Sequence, residues 1–199
     1  MATQAERRAA TRRALVDAAT ARFAAEGYDE TSTDRIREDA GVSRGAMYHH
    51  FPSKRDLFEA VFEEVSSATI RRSASAAGPG GSPLADLTDT CLAWLREVQD
   101  PQAAAILLDL GPHVLGWERA RGLEAETSRG LMETALERAA SAQEIDVPSI
   151  PIAAQLLNAV LAEAALVAVN GSPAGPPDEI EAAVRQFIAG LAARSQVDG

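Results

Sequence analysis

Apolar positions recur every three or four residues along most of this chain, which is the spacing of helices that bury one face. The strict alternation that marks half-buried strands is missing from the sequence. The pattern therefore predicts an all-α protein of about nine helices. Gly and Pro breaks place the longer helices near residues 5–26, 54–72, 84–99, 102–110, 113–142, 150–170 and 178–194, with a flexible connection over 73–83.

Residues 31–54, TSTDRIREDAGVSRGAMYHHFPSK, have the pattern of two further short helices joined by a tight turn. Ser32 or Thr33 caps the first helix. Gly41 follows that helix directly and allows the left-handed backbone that turns the chain sharply. Ser43 then caps the second helix. The stretch therefore predicts a helix-turn-helix.

The second short helix carries side chains suited to DNA. In a major groove Arg44 is placed to bind guanine with two hydrogen bonds, and Gly45 and Ala46 let the backbone approach base edges. Hydroxyl, aromatic and basic groups around it are placed to grip phosphates. The candidate DNA-binding residues are Thr33, Ser43, Arg44, Gly45, Ala46, Tyr48, His49, His50 and Lys54.

The run AGVSRGAMYHHFPSK, preceded by TSTDRI and FAAEGYDETS, resembles the DNA-binding domain of the TetR family of bacterial transcriptional regulators. The resemblance implies a helix-turn-helix domain over 1–53, a connecting helix over 54–72, and a helical ligand-binding and dimerisation domain over 73–199. It also implies DNA contacts for seven of the candidate residues, namely Thr33, Arg44, Gly45, Ala46, Tyr48, His50 and Lys54. Arg37 departs from the family, which usually has a small apolar residue there. Its guanidinium either extends into solvent or reaches a phosphate.

The net charge of -10 argues at first against a nucleic-acid partner. Residues 1–60, however, carry ten basic and ten acidic side chains, so the negative excess lies outside them. Within residues 1–24, five arginines face two acids. This local positive charge either meets the DNA backbone or forms a solvated helix face. The lone Cys91 and the missing apolar signal segment predict a cytoplasmic protein.

The last two helices have an unusual pattern. Residues 152–169 are apolar nearly all round, but polar interruptions and their length favour a buried helix over a membrane span. Residues 180–191 carry an apolar stripe at helical spacing. The pair is either buried inside one subunit or forms a two-fold interface with its copy. The resemblance favours a homodimer through helices near 150–170 and 178–194, and hence a palindromic operator.

The resemblance further implies a repressor of transcription that a small-molecule effector releases from DNA. Aromatic walls with a few polar groups suit such a ligand. Each candidate also has a plainer explanation as a core residue or a helix-surface group. The candidate ligand residues are Trp94, Asp109, His113, Trp117 and Met132.

Catalytic and metal-binding motifs are missing from the sequence. It contains neither GxSxG nor HExxH, and no glycine loop that cradles phosphate. His49 and His50 are adjacent and point to different faces, which does not suit a metal site. We therefore expect no enzyme activity, cofactor or metal ion. Two alternatives to a regulator remain: a helical protein-interaction module, and a C-terminal enzyme carried on a DNA-binding domain.

Overall fold

The computed structural model describes residues 3–76, 78, 81–170 and 177–192. Within these ranges it holds nine helices and no strand, only an isolated antiparallel bridge between Ile145 and Ala192. The all-α prediction is confirmed. The helices are α1 (Gln4–Glu26), α2 (Thr33–Asp39), α3 (Arg44–His50), α4 (Lys54–Ala76), α5 (Pro83–Glu97), α6 (the segments Pro101–Ala104, Ala105–Leu110 and Gly111–Leu115), α7 (Trp117–Ser141), α8 (Ile150–Asn170) and α9 (Pro177–Ala189).

The chain forms two compact units, and the first contains the predicted DNA-binding helices. It combines residues 1–68 with residues 100–123, whereas residues 69–99 and 124–199 make up the second. Helix α6 was predicted to belong to a C-terminal domain, yet it packs in the first unit, where its opening turns contact α1. The compact units therefore do not follow the expected boundary near residue 73. The functional division of the chain stays a prediction.

The core of the first unit is aromatic. Phe23 on α1 and Phe58 on α4 are fully buried, with ring centroids 5.3 Å apart and an interplanar angle of 71°. Tyr28 follows α1 directly, and its ring centroid lies 5.5 Å from each of the other two. Leu15 and Ala19 continue the buried stripe along α1. This packing gives the two short helices a rigid base.

Helix α6 changes its winding in the middle. The segment Ala105–Leu110 is π-helical, and the Gly111 N–H donates to the Ile106 carbonyl five residues back. Pro112 lies in the first turn of the α-helical segment that follows, where the missing N–H does no harm. The predicted break at Gly111–Pro112 is wrong for this reason. The chain breaks instead at Gly116, whose φ is 84°, and α7 begins directly after it.

Gly111 lets α6 lie directly against α4. A Cβ atom at this position would overlap Cε2 of Phe62, a ring that is fully buried. The close approach therefore depends on a residue without a side chain.

The second unit is built around α5, α8 and α9, which contact one another. Val184 and Ile188 form the buried face of α9. This helix was predicted to run to residue 194, but it ends at Ala189. The Leu191 carbonyl accepts a hydrogen bond from the Asp146 N–H at 3.2 Å, which fixes the chain outside the helix. Residues 193 and 194 lie outside the described part.

The connection before α5 is shorter than predicted. Helix α4 continues through Ala76, with the buried Ser73 donating its hydroxyl to the Thr69 carbonyl at 2.7 Å. Ser82 caps α5, and its Oγ accepts from the Ala85 N–H at 3.3 Å. A loop beginning at residue 73 is therefore wrong, because Ala and Ser in that stretch extend the helix. Residues 77, 79 and 80 lie outside the described part.

Helix α8 is long and apolar enough to cross a membrane, with a mean hydropathy of 1.9. Only 22% of its apolar window is buried within the chain. Ile152 and Leu156 are 59% and 62% exposed, and Phe187 on α9 is 63% exposed. Within the described residues the outer face of these two helices is therefore exposed, which contradicts full burial inside one subunit, one of the two alternatives.

Candidate nucleic-acid interface

Helices α2 and α3 are joined by the tight turn that the sequence predicts. Ser32, rather than Thr33, caps α2 by accepting a hydrogen bond at 3.2 Å from the backbone N–H three residues on. Gly41 adopts a φ of 65°, a conformation that glycine enters without steric cost. Ser43 then caps α3, accepting from the Ala46 N–H at 3.3 Å. The two caps and the glycine together set the angle between the helices.

Helix α3 has one buried face and one face open to solvent. Met47 is 1% exposed and anchors the helix in the core. Arg44, Gly45, Tyr48 and His49 are exposed and lie at i, i+1, i+4 and i+5, so they share one face. The sequence of α3, RGAMYHH, contains no acid that would repel phosphate. Such a face suits the major groove of DNA.

Within the described residues, the guanidinium of Arg44 is held in position by a ring contact and not by an ion pair. Its guanidinium carbon lies 5.9 Å from the Tyr48 ring centroid, within the range of a cation–π contact. Among the described residues, no carboxylate pairs with it. Stacking on the ring restricts the arginine rotamer while its N–H donors stay available for an acceptor such as guanine.

Lys54 lies at the start of α4, and its ammonium group already has partners in the first unit. Its Nζ is 4.3 Å from the Tyr28 ring centroid and donates to the Asp29 carbonyl at 3.3 Å. A phosphate oxygen would have to replace that carbonyl as its acceptor. The predicted DNA contact through Lys54 therefore stays a prediction. The remaining predicted contacts Thr33, Ala46 and His50 are half-buried.

An ion network that sequence reasoning missed holds α2 against α1. Arg22 donates from Nε and Nη2 to the two carboxylate oxygens of Asp39, at 2.5 and 3.1 Å. Its Nη1 donates to Glu26 at 2.6 Å, and Glu26 also accepts from Arg35 at 3.1 Å. The hydrogen bond from Arg22 lowers the pKa of Asp39. No local pattern connects Arg22 and Asp39, which are 17 residues apart.

Arg37 is bound by acids of its own helix. Its Nη2 donates to Glu38 Oε1 at 3.0 Å, and its Nε lies 3.5 Å from Asp34 Oδ1. The side chain is only 26% exposed. The guanidinium therefore lies along α2 and does not extend into solvent, which was one of its two expected positions.

His50, at the end of α3, has a lowered pKa. Burial moves it below the ordinary value of 6.5, and the positive charges of Arg8, His49 and Arg12 act in the same direction. The ring is therefore mainly neutral at pH 7 in the free protein. A phosphate placed against it would favour the protonated form.

We expect DNA binding to strengthen as the pH falls from about 7.5 to about 5.5. The pKa of His50 is low in the free protein and rises beside a phosphate, so the complex takes up a proton and acid favours it. Fluorescence anisotropy of a labelled duplex, at fixed ionic strength, measures the effect. His50→Gln should flatten the pH dependence. An unchanged dependence in this variant would contradict the role of His50.

The five predicted ligand residues fall in both compact units. Asp109, His113 and Trp117 belong to the first unit and are exposed, Trp117 to 51%. His113 Nε2 lies 3.9 Å from a carboxylate oxygen of Asp29, and the Trp117 ring faces the Arg121 guanidinium. These three side chains therefore line the surface of the first unit. The two candidates in the second unit are the half-buried Trp94 and Met132, and the ligand set stays a prediction.

The second unit carries an open apolar groove of about 730 Å³ along α8 and α9. Ile152, Leu156 and Phe187 contribute its large exposed side chains, and Glu163 is the one charged residue among the described residues that line it. The volume lies in the range of small-molecule sites, about 300–1,000 Å³. An exposed apolar face of this kind is, however, typical of a protein–protein interface.

The part of the chain that the structure describes contains no group of side chains suited to a metal ion. No three His, Cys, Asp or Glu side chains are grouped there to hold an ion. The rings of His49 and His50 have centroids 5.8 Å apart at an angle of 72°. Burial raises the pKa of the Cys91 thiol to about 12, so this cysteine is an unreactive core residue.

Comparison with known protein families matches both parts of the chain. Residues 15–61 match the family described as bacterial regulatory proteins, tetR family. Residues 84–191, more than half of the chain, match the tetracyclin repressor-like C-terminal domain.

Individual relatives agree with these matches. The HTH-type transcriptional regulator AcrR of Shigella flexneri is 31% identical over 102 residues, which cover 50% of this chain and 47% of that protein. The chain thus spans about half the length of this relative.

Solved structures show the same fold over nearly the whole chain. A TetR-family transcriptional regulator from Pectobacterium atrosepticum has a TM-score of 0.75 and 24% identity, covering 98% of this chain and 100% of that one. RolR in complex with its ligand resorcinol has a TM-score of 0.72 and 17% identity, covering 98% and 99%.

Proposed function

Because the chain belongs to the TetR family of bacterial regulatory proteins, we propose that it is a ligand-responsive repressor of transcription. In this proposal two protomers bind a palindromic operator, and a small-molecule effector releases them. The matched relative AcrR is named as a transcriptional regulator, in line with the prediction that the chain is a regulator and not an enzyme.

The open face of α3 is the observation that carries the DNA-binding proposal. It presents a stacked but unpaired arginine, Arg44, beside the backbone of Gly45, where a base edge can approach closely. Among the described residues no neighbouring atom lies within 4 Å of the position of a Cβ atom at Gly45, so space is open directly above this backbone. Ser43 caps α3, and the Arg22 network holds the neighbouring α2 against α1, so the surface is already ordered before DNA binds. This order lowers the entropic cost of binding.

Dimerisation is supported by the uncovered face of α8 and α9. Ile152 and Leu156 lie one helical turn apart on α8, and Phe187 stands on α9 beside them in the same groove. Removing such side chains from water contributes about 1.5–3 kcal/mol each, so packing this face against the same face of a second copy stabilises a dimer. A four-helix contact around a two-fold axis satisfies both copies at once.

The operator follows from that symmetry. Two α3 helices related by a two-fold axis read the same base pairs on opposite strands, and therefore require a palindrome. The half-sites lie about one helical turn of DNA apart, or a multiple of it, roughly 34–36 Å. In the proposed repression, the bound dimer blocks access to a promoter that its operator overlaps.

The effector acts through a population shift. One arrangement of the dimer fits the operator and another, in which the two α3 helices are displaced, does not. A ligand weakens DNA binding only by the difference between its affinities for these two arrangements. RolR, a fold relative, is recorded with resorcinol as its ligand, which supports a small organic effector for this chain too.

Selection of the purified chain against a random DNA library tests the proposal. Enrichment of one palindrome at physiological salt is the expected result. Repeating the selection with fractions of a metabolite extract identifies an effector, because the active fraction abolishes enrichment. A chain that enriches no sequence under any condition would refute the DNA-binding proposal and favour the protein-interaction alternative.

Arg44→Ala should cost about 1–3 kcal/mol in operator affinity for each half-site and relax the base preference there. The guanidinium is the one group on the α3 face that can bind guanine through two hydrogen bonds. Lys54→Ala is the contrasting variant, since the loss of a phosphate contact should weaken binding to operator and random DNA alike. Anisotropy titrations against both duplexes measure the difference. Equal losses on both duplexes for Arg44→Ala would rule out base reading by this residue.

A further inference from the structure

The basic residues of the first unit divide into two groups by their partners. Arginines with a facing carboxylate already have a counter-charge, whereas unpaired ones on a surface attract anions. The paired group is Arg13, Arg22, Arg35 and Arg37. Within the described residues, the arginines up to α3 without a carboxylate partner are Arg7, Arg8, Arg12 and Arg44.

Arg8 and Arg12 share a helix face that leads to α3. They are one turn apart, and the same line along α1 continues through the buried Leu15 and Ala19. At about 100° per residue, Arg7 points to the side of this line and Arg13 away from it. Arg8 and Arg12 therefore continue the core-facing side of α1 beyond the end of the core.

Two contacts place these arginines beside the end of α3. The guanidinium carbon of Arg12 lies 5.3 Å from the ring centroid of Phe51, the residue directly after α3. The charges of Arg8 and Arg12 also act on His50, which puts both within electrostatic reach of that ring. Beside the exposed face of α3 there is thus a second basic edge, formed by Arg8 and Arg12 next to His50.

Neither Arg8 nor Arg12 has a carboxylate partner among the described residues, and both side chains are exposed. Arg12 packs over the Phe51 ring, which leaves the charge of its guanidinium without a counter-charge in the described part of the chain. An anion from outside the chain would supply that counter-charge. The anions that flank a helix inserted in a major groove are the phosphates of the DNA backbone.

We propose that Arg8 and Arg12 bind the phosphate backbone that borders the base pairs read by α3. The inference rests on the proposed DNA-binding function and deepens it, because it adds α1 to the helices that contact the operator. The contacts fix the register of α3 without reading sequence.

The dependence of DNA affinity on salt tests this assignment. Each neutralised phosphate contributes about 0.9 to the slope of log affinity against log salt, so Arg8→Ala/Arg12→Ala should reduce the slope by about 2 per bound protomer. Arg7→Ala/Arg13→Ala is the matched control, because it removes the same charge from other sides of the same helix. That pair should change the slope by less than about 1. Arg8→Lys/Arg12→Lys should retain most of the slope, since lysine also pairs with phosphate.

A random-sequence duplex serves as the probe, so the test needs no known operator. Equal changes for both alanine pairs would overturn the proposal, because overall charge would then explain the effect. No change for Arg8→Ala/Arg12→Ala, while the unaltered chain binds the duplex with a clear dependence on salt, would overturn this inference and leave the proposed function standing. If the unaltered chain bound no DNA at low salt, the proposed function would fail and this inference with it. Thermal unfolding of each variant separates loss of contact from loss of fold.

Discussion

Replacing Phe58 with alanine is expected to lower the free energy of unfolding by about 3–5 kcal/mol, the usual cost of emptying a buried aromatic site. The side chain is fully buried, and its ring packs edge-on against Phe23 and Tyr28. Because α1 supports both short helices of the DNA-binding surface, DNA binding should be lost together with the fold. Urea unfolding followed by circular dichroism measures the change.

Trp117→Ala is the matched control for this prediction. Trp117 is also a large aromatic residue of the first unit, but it is 51% exposed. Its removal leaves no cavity and should cost less than about 1 kcal/mol. Similar losses in the two variants would show that the aromatic cluster is not the centre of stability in this unit.

Phe187→Ala is expected to weaken self-association by about 4 kcal/mol, or roughly 10³-fold in the dissociation constant. A two-fold dimer contains the residue twice, and each buried aromatic anchor contributes about 2 kcal/mol or more. Phe187 is 63% exposed in the single chain, so the monomer fold should be unaffected. Sedimentation equilibrium over a range of concentrations measures the shift.

The same Trp117→Ala variant controls for loss of any exposed aromatic side chain. It should leave the dissociation constant within about threefold of the unaltered chain, as expected for a residue outside the interface. If the unaltered chain were monomeric at high micromolar concentration, the interface assigned to α8 and α9 would be wrong.

Local features of the DNA-binding surface were predictable from sequence. The cap at Ser43 and the left-handed turn at Gly41 each depend on residues a few positions apart. Such contacts leave a signature in a short stretch of chain. The type and order of the helices were predictable for the same reason, because one buried face repeats every three to four residues.

Features that depend on distant residues were not predictable. The Arg22–Asp39 pair and the packing of α6 against α1 join parts of the chain that no local pattern relates. The ligand candidates illustrate the limit: Asp109 and His113 were selected by residue type, and the structure places both on the surface. Pairing over long separations is decided by the fold as a whole.

The π-helical segment of α6 has a further consequence for the chain after it. A wider turn takes in an additional residue, and each residue of an α-helix corresponds to a rotation of about 100°. The π-helical segment ends directly before Gly111, so that rotation contributes to the orientation in which Gly111 faces the Phe62 ring. Shortening the segment by one residue would direct the side chain of a neighbour at the ring in place of the glycine. The wider turn thus sets the direction in which each later side chain of α6 points.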